Sequence, residues 1–72
     1  MFENKNILVT GGSGMIGRQL VSILLQEKAN VYVADLNKPI NMSNKINYYN
    51  VDLKDFGSCK EVCKDMEYIF NL

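Results

Sequence analysis

An apolar run, Ile7-Leu8-Val9, gives way at Thr10 to Gly11-Gly12-Ser13-Gly14, and a helical pattern begins at Met15. This junction of strand, glycine turn and helix restricts the fold more than any other feature of the chain. The N–H groups in the first turn of a helix have no partners within it, and the aligned peptide dipoles add partial positive charge there. A strand that turns on glycines into a helix is therefore built to hold a phosphate. Such a site needs no charged side chain, which suits a chain with a single arginine, Arg18. Downstream, the spacing puts Ile16, Leu20, Ile23 and Leu24 on one helix face, the pattern of an amphipathic helix.

The glycines divide the work. Gly11 allows a sharp turn off the strand, Gly14 lets a pyrophosphate approach the backbone, and Gly17 lets the helix pack close to its strand. A second apolar run, Val31-Tyr32-Val33-Ala34, closes on Asp35, 18 positions beyond Gly17. That is near the roughly 20-residue offset of the acid that grips an adenosine ribose. The combination predicts a dinucleotide site. Gly12 and Gly17 also have the spacing of a P-loop, but that loop then needs a lysine and a hydroxyl. Arg18 and Gln19 stand in those places, so the P-loop reading fails.

Of the 72 residues 47% are hydrophobic and 22% charged, a globular composition. Eight basic and eight acidic residues balance, giving no electrostatic case for nucleic acid or an anionic membrane surface. No apolar run approaches the roughly 20 residues of a membrane span. Met1-Phe2-Glu3-Asn4-Lys5 leads directly into the first strand and leaves no room for a signal peptide, so the expected setting is the cytosol. Cys59 and Cys63, with Phe56 and Val62, mark the inward face of a short helix and are expected to be buried, reduced thiols. With no histidine to complete a ligand set, no metal site is expected. Asn41-Met42-Ser43 matches a glycosylation sequon, which carries no meaning without secretion.

Four strands and two helices are predicted. The strands run from Asn6 to Thr10, Asn30 to Asp35, Ile46 to Val51, and Tyr68 to the end. The helices run from Met15 to Lys28 and from Phe56 to Asp65, the second capped by Asp55. A polar connection, Asn37 to Lys45, contains Pro39. Asn47 and Asn50 interrupt the third strand, as expected near a sheet edge. Continuous apolar strands joined through helices imply an α/β fold, a doubly wound parallel sheet of the Rossmann type. Right-handed crossovers then give the strand order 3-2-1-4. Tyr68-Ile69-Phe70-Asn71-Leu72 reads as a central strand, so residues 1–72 are expected to be the opening part of a dinucleotide-binding domain that continues beyond Leu72.

Thr10-Gly11-Gly12-Ser13-Gly14-Met15-Ile16-Gly17 resembles the T-G-G-x-G-[FYM]-I-G signature of extended short-chain dehydrogenases/reductases, the NAD-dependent epimerase/dehydratase family. Asp35 matches the family's ribose-binding acid. Val51-Asp52-Leu53-Lys54-Asp55 is similar to its G-D-L-x-D segment, and Ile69-Phe70-Asn71-Leu72 to its V-x-H-L-A strand end. The resemblance spans essentially the whole chain. It implies that the cofactor meets Gly11, Gly14, Met15, Ile16 and Gly17 at the phosphates and Asp35 with Leu36 at the ribose. Asp52 and Leu53 would meet the adenine, and Leu72 would pass beside the cofactor. It also implies a nucleotide-sugar substrate and a homodimer when the protein is complete. Three departures stand out. Lys28-Ala29-Asn30 replaces a common glycine after the first helix, with Asn30 as the expected left-handed cap. Val51 replaces the glycine before Asp52, and Asn71, to which no role is assigned, replaces a common histidine.

A carboxylate at Asp35 accepts both ribose hydroxyls and repels a 2′-phosphate, favouring NAD over NADP; Lys38 could soften that preference. The plainer alternative for Asp52 is that it merely starts the turn into the second helix. Members of the family use a Y-x-x-x-K pair for acid–base work. Four residues after Tyr32, Tyr48, Tyr49 and Tyr68 stand Leu36, Asp52, Leu53 and Leu72, so the chain carries cofactor-binding parts and no such pair. Two functions fit this. One is the NAD-binding start of a nucleotide-sugar epimerase or dehydratase, with isomerase, lyase or oxidoreductase chemistry completed further on. The other is a non-catalytic dinucleotide-binding regulator or redox sensor.

Overall fold

Ile7, Leu8 and Val9 are all fully buried, so the strand that carries them must be covered on both faces. The computed structural model, which describes residues 1–11, 14–37 and 45–72 (backbone only at Phe56), shows how. The elements are β1 (Asn6–Thr10), α1 (Met15–Gln26), β2 (Asn30–Asp35), β3 (Asn47–Asn50), α2 (Phe56–Val62) and β4 (Tyr68–Asn71). All strand pairs are parallel and the order is β3-β2-β1-β4, as the crossover argument predicts. Alternation along the strands divides the core in two. Ile7, Val9, Val31 and Val33 face α1, packing against Val21 and Leu24. Leu8 and Ala34 face the other way, onto Val62 of α2. Helices on opposite faces make this a doubly wound parallel sheet of the Rossmann type.

The buried face of α1 is Gly17, Val21 and Leu24, with Leu20 and Leu25 flanking it. This corrects the expected face. Ile16 is 73% and Ile23 57% exposed, because their positions lie well round the helix from Val21 at 100° per residue. Val21 and Leu24 are the residues of this face that join the sheet core, so the true face is turned toward Val21 from the expected one. The helix also ends earlier than predicted. Glu27 is its C-cap, Ala29 N–H bonds the Leu24 carbonyl at 3.1 Å and Lys28 N–H the Leu25 carbonyl at 3.0 Å. This is a Schellman closure, and its left-handed residue is Lys28 (φ 62°) rather than Asn30, which already belongs to β2.

α2 is shorter than predicted, stopping at Val62, and Asp65 takes φ 65°, which no right-handed helix accommodates. Its start is as expected. Asp55 Oδ1 accepts from Gly57 N–H at 3.1 Å, and its Oδ2 accepts from the Ser58 hydroxyl at 3.0 Å. Cys63 packs half-buried against the Leu8 cluster, and the half-buried Cys59 thiol donates to the Leu53 carbonyl at 3.0 Å. Both thiols are free, but neither is fully buried as expected, because so short a helix covers little of the sheet. Strand β3 lies at the sheet edge and begins at Asn47 instead of Ile46, whose side chain packs onto the α1-side core.

Candidate functional site

The four strands are parallel, so their C-terminal ends form one rim. Thr10 lies in register with Ala34 on one side and Asn71 on the other, which brings Gly11 level with Asp35 and next to Leu72. Gly11 N–H bonds the Ala34 carbonyl at 3.1 Å, and Leu72 N–H bonds the Thr10 carbonyl at 3.2 Å. The chain leaves β1 for β2 and β3 on one side and returns to β4 on the other. Gly11 and Leu72 therefore sit at the topological switch point, where open α/β sheets bind ligands.

Two glycines shape the turn. Gly11 has φ 72°, and a Cβ there would lie 3.2 Å from the Leu72 carbonyl oxygen, so both conformation and space demand glycine. Gly14 is extended (φ −78°, ψ 176°) and is the N-cap of α1; its carbonyl accepts the Arg18 N–H at 2.9 Å. Among the described residues a Cβ on Gly14 would meet only the Gly11 carbonyl oxygen, at 4.0 Å, which is ordinary contact distance and leaves room in front of it. Among the described residues no side-chain hydrogen bond caps the helix, and its first turn holds no acidic residue. Met15 and Ile16 are 78% and 73% exposed, while Gly17 is buried. Gly12 and Ser13 lie outside the described residues, as do Lys38, Pro39 and the Asn41-Met42-Ser43 sequon.

A cavity of about 240 Å³ opens where the chain leaves β2 and β3, lined by Asp35, Leu36, Asn37, Val51, Asp52, Leu53 and Lys54. Whole-ligand pockets start at roughly 300 Å³, so a space of this size suits part of a ligand, such as one base and its sugar. Asp35, Leu36, Asp52 and Leu53, assigned separately from sequence, thus share one cavity. Asp35 Oδ1 accepts from Asn37 N–H at 3.1 Å, and Asp52 Oδ1 accepts from Lys54 N–H at 2.9 Å. Both are Asx turns that fix the carboxylates locally. Asp52 thus does open the turn into α2, while also lining the cavity.

Three features went unread in the sequence. Tyr48 on β3 donates its hydroxyl to the Asp35 carbonyl at 2.9 Å; desolvation, then the nearby Asp35 charge, raises its pKa above the ordinary tyrosine value. Only knowledge of the β2–β3 register could have found it. Asn37 sits two residues after Asp35, a detectable Asx-turn spacing. Asn71, left without a role above, accepts the Thr10 hydroxyl through Oδ1 at 2.7 Å, tying the end of β1 to β4. Among the described residues no group of histidine, cysteine and acidic side chains could hold a metal ion, and no helix is long and apolar enough to cross a membrane.

The profile of the NAD dependent epimerase/dehydratase family matches residues 7–72. The chain belongs to this family. It is 30% identical to a UDP-N-acetylglucosamine 4,6-dehydratase (inverting) of Campylobacter jejuni over 99% of its own length and 24% of the relative's. Two solved structures superpose well. The UDP-glucose 4-epimerase of Thermotoga maritima, solved with UDP-glucose, gives a TM-score of 0.82 at 32% identity, covering 93% of this chain and 23% of that one. A short chain dehydrogenase of Leptospira borgpetersenii with bound NAD+ gives 0.73 at 35% identity, covering 85% and 25%. The chain therefore spans about a quarter of the length of the relatives it matches.

Proposed function

We propose that residues 1–72 are the NAD-binding opening part of a nucleotide-sugar epimerase or dehydratase, a domain that continues beyond Leu72. The observation that carries this reading is the room left at Gly14, in front of a helix N-terminus that no side chain caps among the described residues. The amides of Met15, Ile16 and Gly17 donate to the diphosphate, and the exposed Met15 and Ile16 contribute backbone rather than side chain. Gly11 holds the turn that brings the helix end to the switch point. Asp35 accepts the ribose hydroxyls and repels a 2′-phosphate, giving NAD preference over NADP. Leu36 and Leu53 wall the base cavity, Asp52 meets the adenine rim, and Leu72 borders the path of the cofactor between β1 and β4.

When bound, the nicotinamide supplies reversible hydride transfer at a sugar carbon. The residues of this chain bind and orient it and move no proton in that step. Acid–base groups and sugar contacts come from further chain, as does the dimer interface expected of the complete protein. Family membership favours this enzyme reading over a non-catalytic sensor. The test is calorimetric titration of the full polypeptide with NAD. Gly14→Val places a branched side chain in the diphosphate space and is expected to weaken binding at least a hundred-fold while the apo protein still melts cooperatively. Parent-like affinity in that variant would remove the site.

A further inference from the structure

We infer that Tyr48 is a positioning residue that sets the carboxylate of Asp35 for the ribose and so tunes the preference for NAD over NADP. The inference rests on Asp35 as the ribose acceptor proposed above. Tyr48 lies on the same sheet face as Val33 and Asp35, in register with Val33, two residues short of Asp35. Its ring packs half-buried against the α1-side core, and its hydroxyl reaches forward to the Asp35 carbonyl at 2.9 Å. That carbonyl also accepts the Val51 N–H, at 3.3 Å, beyond the usual range for a ladder bond. The phenol is therefore a shorter hold than the Val51 amide on the peptide group that leaves Asp35.

The orientation of that peptide group decides where Leu36 and Asn37 go. Asn37 N–H is the donor that seats Asp35 Oδ1, at 3.1 Å. Tyr48 thus acts on the carboxylate through three links: the Asp35 carbonyl, the turn of the chain, and the Asn37 amide. Removing the O–H lets the peptide rotate and the carboxylate drift from its seat. A displaced carboxylate grips the ribose hydroxyls less well and repels a 2′-phosphate less strongly. The effect is one on cofactor discrimination and is separable from general loss of stability.

The experiment measures NAD and NADP affinities by calorimetry on the full polypeptide. The variants are Tyr48→Phe, Tyr48→Met as a second side chain without a donor, Asp35→Asn, and the Tyr48→Phe/Asp35→Asn double variant. One hydrogen bond corresponds to about a five-fold change. Each Tyr48 variant is expected to lose about that factor in NAD affinity and to narrow the NAD:NADP ratio by a similar factor. The double variant is expected to match Asp35→Asn alone. If Asp35→Asn shifts the ratio while both Tyr48 variants keep the parent's ratio, or lower the two affinities equally, Tyr48 only supports the strand and the inference fails. If Asp35→Asn itself keeps the ratio, the ribose reading falls and takes this inference with it.

Discussion

Gly11 shows how much a single position carries. Its left-handed φ of 72° and the 3.2 Å approach of a hypothetical Cβ to the Leu72 carbonyl act together, so alanine there is strained twice over. Gly11→Ala is expected to lower stability by about 1–3 kcal/mol in thermal unfolding of the full polypeptide. At the opposite rim, Glu67 joins β4 to β1. Its Oε1 accepts the Asn6 N–H at 3.0 Å, and Lys5 Nζ lies 3.5 Å from Oε2. The Asn6 N–H bond, seconded by Lys5 against some desolvation, holds the Glu67 pKa below its ordinary value. A lowered carboxylate pKa stabilises the fold fully above the unfolded value, and the contribution is lost as pH falls through the folded one. The melting-temperature gap between the parent and Glu67→Gln is therefore expected to stay constant from neutral pH to about pH 5 and to close below about pH 4. A gap unchanged down to acid pH would contradict the assignment.

Among the elements, sequence succeeded where one simple physical rule decides the outcome. Ile7-Leu8-Val9 and Val31-Tyr32-Val33-Ala34 are continuous apolar runs, so a parallel sheet buried on two faces followed, and handedness gave its order. The orientation of α1 was misread because Ile16, Leu20, Ile23 and Leu24 form an apolar stripe of their own, while the face that meets the sheet core lies further round, toward Val21. The helix terminus was misread because asparagine tolerates left-handed backbone better than lysine, yet the register of β2 draws Asn30 into the strand and leaves Lys28 at the turn. Lys28 pays for that conformation. Lys28→Gly is expected to stabilise the protein by about 1 kcal/mol, seen as a raised melting temperature. A lowered one would show that its side chain contributes more than its backbone costs.

At the scale of the whole molecule, residues far apart in sequence meet because parallel strands end together. Gly11, Asp35, Asp52 and Leu72 were legible as site candidates, since each ends a strand or follows one. Tyr48 was not, because its partner depends on which residue of β2 lies beside β3, a register that no local pattern fixes. Asn37 and Lys54, which also line the cavity, each stand two residues after an aspartate, a spacing that a local reading could have used. The proposed function requires a diphosphate at the N-terminus of α1, and the most direct measurement is a crystal structure of the full polypeptide grown with saturating NAD. The expected result has diphosphate oxygens within hydrogen-bond distance of the Met15 and Ile16 amides and the adenosine ribose on Asp35. NAD bound elsewhere, with the space before Gly14 filled by water alone, would contradict it.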